Sequence, residues 1–146
     1  MNVFVANEQE LPVDAERLVA LARHTLTAES VDDEAELSVL LIAADHMQRL
    51  NARFAGNDYA TDVLAFPMME DIDDEEATLL GDVVICPQVA VENARRMDHG
   101  FDHEVDTLLI HGTLHLLGYD HQGKADKALM DRRLREVLSS FQPATR

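Results

Sequence analysis

Three histidines within eleven residues, His111-Gly112-Thr113-Leu114-His115-Leu116-Leu117-Gly118-Tyr119-Asp120-His121, constrain this chain more than any other stretch. Two histidines four apart on a helix differ by roughly 40° of rotation and about 6 Å of rise, so both imidazoles can reach one ion. His111 and His115 meet that requirement. Gly118 falls where a helix commonly ends in a left-handed turn, which lets the chain double back and bring His121 to the same point. Three protein ligands leave a fourth position open for water or substrate. On zinc that openness marks a catalytic rather than a structural site.

The spacing equals that of the metzincin signature, H-E-x-x-H-x-x-G-x-x-H, with one difference. Gly112 stands where the signature carries its glutamate, the general base beside the metal. Glycine offers no proton acceptor, so the pattern keeps a metal geometry and loses peptidase chemistry. A lone histidine on an apolar helix is usually a hydrogen-bonded core residue. Three at this spacing, with Gly118 at the turn, point to a metal. His24 and His46 read as surface residues, and His99 and His103 as solvated or capping ones, since His103 lies about 80° around the helix from His111.

The formal charge of −16 bears on any nucleic-acid role, because an acidic surface repels phosphate at long range. The charge is uneven. Glu70, Asp71, Asp73, Asp74, Glu75 and Glu76 form one acidic stretch, expected as a solvated loop, whereas cations gather at Arg49 and Arg53, at Arg95 and Arg96, and from Lys124 to Arg135. The single cysteine, Cys86, permits no internal disulfide and suits a reducing cytoplasm; its place after an apolar run suggests a buried thiol. No apolar run approaches the length that crosses a bilayer, and the first residues do not read as a secretory signal. A length of 146 residues suits one domain with a real core.

Hydrophobic periodicity predicts strands around Val3–Val5 and over Glu36–Ala43, Thr61–Phe66 and Gly81–Cys86. It predicts helices over about Val13–Leu26, Asp45–Phe54, Pro87–Met97, His103–Leu117 and Asp126–Ser140. In the second helix Met47, Leu50, Asn51 and Phe54 share a stripe, and in the last Leu129, Met130, Leu134, Val137 and Leu138 are expected to face the core. Leu108, Leu109, Ile110, Leu114 and Leu116 point in all directions, so the histidine helix should be buried centrally. The class is therefore α/β (α+β): a four-stranded mixed sheet covered by about five helices, with the metal site on the central one. Strand order does not follow from the pattern.

Four segments, Leu50-Asn51, Thr61-Asp62-Val63-Leu64-Ala65-Phe66-Pro67, Leu80-Gly81-Asp82-Val83-Val84-Ile85-Cys86 and the histidine motif, together resemble the YbeY family of bacterial ribosomal-RNA-maturation endoribonucleases. The resemblance implies a single zincin-like domain spanning residues 1–146 and one Zn2+ on His111, His115 and His121. It implies hydrolysis by a zinc-bound water, cleavage of single-stranded RNA, maturation of the small-subunit ribosomal RNA 3′ end and ribosome quality control in the cytoplasm. Implied partners are ribosomal RNA and the small ribosomal subunit, with a ribosomal protein or GTPase as a further partner, and neither membrane nor DNA. Imidazole ligands also suit nickel, copper and iron.

One departure bears on catalysis. The family usually has an arginine after the aromatic of its Leu-Asn-x-x-aromatic segment, and here Ala55 follows Phe54; the lysine expected after Gly56 is Asn57. Arg53 is the candidate replacement, with Arg49 on the same helix, although Arg53 lies about 200° around from Ala55. Asp120 reads as a turn cap or as an orienter of a ligand imidazole, and Asp62 and Asp82 read as turn residues. Two rivals stand beside the nuclease: a metal-stabilised ribosome-assembly factor with little catalysis, and a zinc peptidase, against which Gly112 argues.

Overall fold

In the computed structural model, which describes residues 1–68, 79–120 and 122–141, four strands and five helices follow one another as the periodicity predicts. The strands are β1 (Asn2–Glu8), β2 (Glu36–Ile42), β3 (Val63–Pro67) and β4 (Leu79–Ile85). The helices are α1 (Ala15–Ala28), α2 (Ala44–Ala55), α3 (Pro87–Arg96), α4 (Phe101–Leu116) and α5 (Lys124–Ser140). The acidic stretch, Glu70 to Glu76, expected as a solvated loop, lies outside the described residues. None of the helices described is long and apolar enough to cross a membrane.

The sheet order is β1-β2-β4-β3. β1, β2 and β4 run parallel, and β3 is added antiparallel at the edge of β4. Alternation along the strands sorts side chains to two faces. Leu37, Val39, Leu41, Val83 and Ile85 join a core with α1, α4 and α5, while Ile42, Val84 and Cys86 meet Met47 of α2 on the other side. Cys86 is buried as expected, and burial pushes its thiol pKa up.

α4 packs against β3, β4, α1, α3 and α5, and Leu108, Leu109, Ile110 and Leu114 are buried, as an apolar surface on every side of a helix requires. It begins two residues before the expected start, at Phe101, with Gly100 as its cap. Asp106, itself buried, forms an ion pair with the half-buried Arg17 of α1. Burial raises the Asp106 carboxyl pKa above its ordinary value and Arg17 only partly opposes the rise.

One expectation about a helix face is corrected, at Leu129, and a second large apolar residue, Phe54, is exposed. Phe54, in the last turn of α2, is 58% exposed although it shares a stripe with buried Met47 and Asn51. Leu129 is 45% exposed: the core-facing line of α5 runs through Met130 and Val137, seven residues apart, and Leu129 lies one residue and about 100° off it.

Gly112 is where α4 comes closest to the sheet. A Cβ there would lie 2.6 Å from Val83 Cγ1 and 3.3 Å from Val63 Cγ2, closer than side chains pack. Gly112→Ala should therefore destabilise the protein by about 1–3 kcal/mol despite alanine's better helix propensity. Urea unfolding checks this, and adding Val83→Ala should recover part of the loss; equal stability of Gly112→Ala and wild type would refute the close approach.

Candidate active-site cleft

The histidines depend on how α4 ends. After the cap residue Leu117, Gly118 takes φ +103, Gly118 N–H bonds the carbonyl of His115 at 3.1 Å, and Tyr119 N–H bonds that of Leu114 at 3.1 Å. This is the paired closure expected of a left-handed glycine, and it reverses the chain towards Asp120. Asp120 accepts the N–H of Gln122 at 3.2 Å, a turn-closing bond of the kind the sequence suggested. His121 itself lies outside the described residues.

His111 and His115 line one cleft of about 200 Å³ with Gly112 and the edge-strand residues Val63, Leu64 and Ala65. Both are half-buried. Two imidazole donors one turn apart, opening into a partly enclosed apolar cleft, fit a borderline metal such as zinc in donor type. Among the described residues no group of three ligating side chains is gathered, and the third histidine of the motif falls outside them. The base position of the peptidase signature is closed sterically as well as chemically, since the Cβ of any residue at 112 would strike Val83.

Asn93 ties the two walls of this cleft together, and sequence reasoning missed it. Its Nδ2 donates to Asp62 Oδ2 at 2.9 Å and to Glu104 Oε2 at 3.2 Å. Asp62 opens β3 and also accepts the N–H of Val63 at 2.8 Å; Glu104 lies two turns before His111, on the same side of α4. Arg96 donates to Asn93 Oδ1, and His99 Nε2 meets Glu104 Oε1 at 2.7 Å. His99, expected as a solvated or capping residue, is therefore the partner of a buried carboxylate in the first turns of α4, which packs against α3. Its ring also meets His103 edge-on at 4.7 Å. A helix-terminal Asn and an acidic residue just inside an apolar helix were the available signals, and neither is distinctive alone.

A second network anchors the turn after Gly118. Tyr119 Oη donates to Glu29, and Arg133 holds the same carboxylate at 2.7 Å while its other arm reaches the carbonyl of Ala28 at 2.7 Å. Burial first, and the Glu29 carboxylate second, raise the Tyr119 phenol above its ordinary pKa, which keeps it a donor. His24 bonds Ser140 at 2.8 Å and packs against Phe141, so it too joins α1 to the end of α5.

Arg53 occupies the last turn of α2, its guanidinium carbon 5.2 Å from the centroid of the Phe54 ring. Among the described residues it makes no ion pair, whereas Arg49 faces Asp45 and Arg133 faces Glu29 and Glu136. Ala55 closes α2, and Gly56 caps it at φ +74.

If Asn93 holds the cleft walls, Asn93→Ala should cost about 1–3 kcal/mol, because Asp62 and Glu104 both lose a buried donor. A urea midpoint unchanged from wild type would show that the two carboxylates are satisfied without it.

The family model described as Endoribonuclease YbeY matches residues 4–142. Endoribonuclease YbeY of Frankia casuarinae is 44% identical over 99% of this chain and 76% of the relative. That of Thermobifida fusca is 44% identical over 97% of this chain and 94% of the relative. The solution structure of TM1509 from Thermotoga maritima superposes with a TM-score of 0.60 at 28% identity, covering 99% of both chains. A family match across nearly the whole chain, together with relatives that align along almost all of it, places this protein in the YbeY endoribonuclease family.

Proposed function

We propose that this chain is a metal-dependent endoribonuclease that cuts single-stranded RNA and acts on the 3′ end of small-subunit ribosomal RNA and in ribosome quality control in the cytoplasm. The observation that carries the reading is the pair His111 and His115 opening together into the cleft walled by β3. Family membership supplies the reaction class, hydrolysis of RNA phosphodiester bonds.

His111, His115 and His121 would hold the ion, with zinc the first choice for an imidazole set. When bound, such an ion polarises a phosphoryl oxygen and lowers the pKa of an attacking water. The protein's own contribution is placement and exclusion of solvent. Val63, Leu64 and Ala65 make an apolar wall that strengthens electrostatic interactions at the phosphate. β3 pairs only with β4 among the described strands, so its outer edge offers backbone N–H and C=O groups to a bound strand. Arg53 supplies the cation that Ala55 does not, and a guanidinium suits phosphate recognition. The partners in this reading are ribosomal RNA and the small subunit, with delivery by a ribosomal protein or GTPase.

A second reading, a metal-stabilised assembly factor with little catalysis, draws on Ala55 and the charge of −16. A metal-competent but cleavage-deficient variant that still restored normal ribosomal RNA ends in cells would favour it.

His115→Ala should lose bound metal, measured by elemental analysis, and lower cleavage of single-stranded RNA by about a hundredfold or more, as loss of a ligand exceeds the usual effect of losing an outer partner. Retention of both metal and cleavage would falsify the assignment.

A further inference from the structure

The edge of the sheet carries an aromatic cluster beside the cleft. Phe54, at the end of α2, packs its ring edge-on against Phe66 of β3, with centroids 5.3 Å apart and planes at 71°. Phe66 is anchored in the α2-side core with Leu64 and Val84, but Phe54 is left 58% exposed. A phenyl ring that gains most by burial is here held outward by a fixed aromatic support. Arg53 lies over it at 5.2 Å, with no carboxylate paired to it among the described residues.

The neighbouring acids are engaged elsewhere: Asp45 faces Arg49, and Asp58 accepts from Gln48. The cluster therefore presents an exposed ring and an available cation on a chain whose overall charge is −16. Position completes the picture. Ala65 lines the cleft and Phe66 is the next residue, on the opposite face of the same edge strand. The cluster and the cleft therefore lie on the two faces of β3, whose outer edge runs between them.

We propose that Phe54, supported by Phe66 and with Arg53 over one face of its ring, is a stacking platform whose other face receives a base of single-stranded RNA whose backbone passes over the β3 edge into the cleft. The proposal rests on the nuclease reading and deepens it. An aromatic face accepts any base, so it confers little sequence preference, and a guanidinium beside it serves both the stacked base and the adjacent phosphate. Bases inside a duplex are already stacked and paired, so the platform selects for single strands.

The chain contains no tryptophan, so Phe54→Trp introduces a single fluorescent reporter into the full-length protein. The indole emission of this variant should be quenched saturably by oligouridine and by oligoadenosine, and not by an abasic oligomer or a blunt RNA duplex. Phe54→Ala should raise KM for single-stranded RNA about tenfold, the effect of losing one base stack, with kcat and the unfolding midpoint little changed. Indole emission that ignores RNA in Phe54→Trp, or an unchanged KM in Phe54→Ala, overturns the platform; cleavage that persists in either case leaves the nuclease reading standing. Absence of RNA cleavage by the metal-loaded wild type overturns the nuclease reading instead, and the emission titration still decides whether the ring binds a base.

Discussion

The site depends on how closely α4 lies against the sheet. At Gly112 a missing Cβ lets the helix settle onto Val83 and Val63, and the histidines on either side of that contact inherit their direction from it. Interiors pack with few voids, so a helix seated this tightly has little freedom to roll. His111 and His115 are therefore aimed at the cleft by the backbone before any ligand arrives. The same contact bears on the peptidase signature: a scaffold that needs glycine between His111 and His115 cannot also place a glutamate there. The helix gains its rigidity at the position where a peptidase keeps its base.

Close packing fixes one wall, and polar contacts fix the separation of the two. Asn93 bonds a carboxylate just before β3 and another on α4, so the start of the strand that walls the cleft and the helix that carries the histidines are joined through α3. Buried acids are costly unless they accept hydrogen bonds, and here each finds a donor in its neighbours. Gly81 plays a comparable part at the other end of β3. It adopts φ +143 in the irregular stretch of β4, and a Cβ there would lie 2.3 Å from the carbonyl oxygen of Phe66. The edge strand is held at both ends by contacts that tolerate few substitutions.

Much of this was legible in the sequence because it is periodic or local. Four strands and five helices follow from apolar spacing, and the central burial of α4 follows from leucines on every side. The turn at Gly118 was equally readable, since a left-handed end after an apolar helix leaves few residue choices. What was not legible is what depends on distance through the fold. Asn93 and Glu104 come from two helices, His99 from the loop between them and Asp62 from the turn before β3, and none carries a local sign of its partners. The order β1-β2-β4-β3 is equally hidden, because periodicity does not say which strand a strand pairs with. Leu129 shows a third limit: spacing gives the apolar side of a helix but not how much of it the core covers.

The clasp of Tyr119, Glu29 and Arg133 carries a consequence for the order in which the protein assembles. Glu29, at the end of α1, lies 90 positions from Tyr119 and 104 from Arg133 of α5. Contacts so distant in sequence form late, because closing long loops costs entropy before the contacts can offset it. The approach to the third histidine is thus fastened only once both ends of the chain have docked. A nascent or truncated chain would hold two imidazoles on one helix without the fixed turn beyond them, so the fastened turn reports that the chain has finished folding.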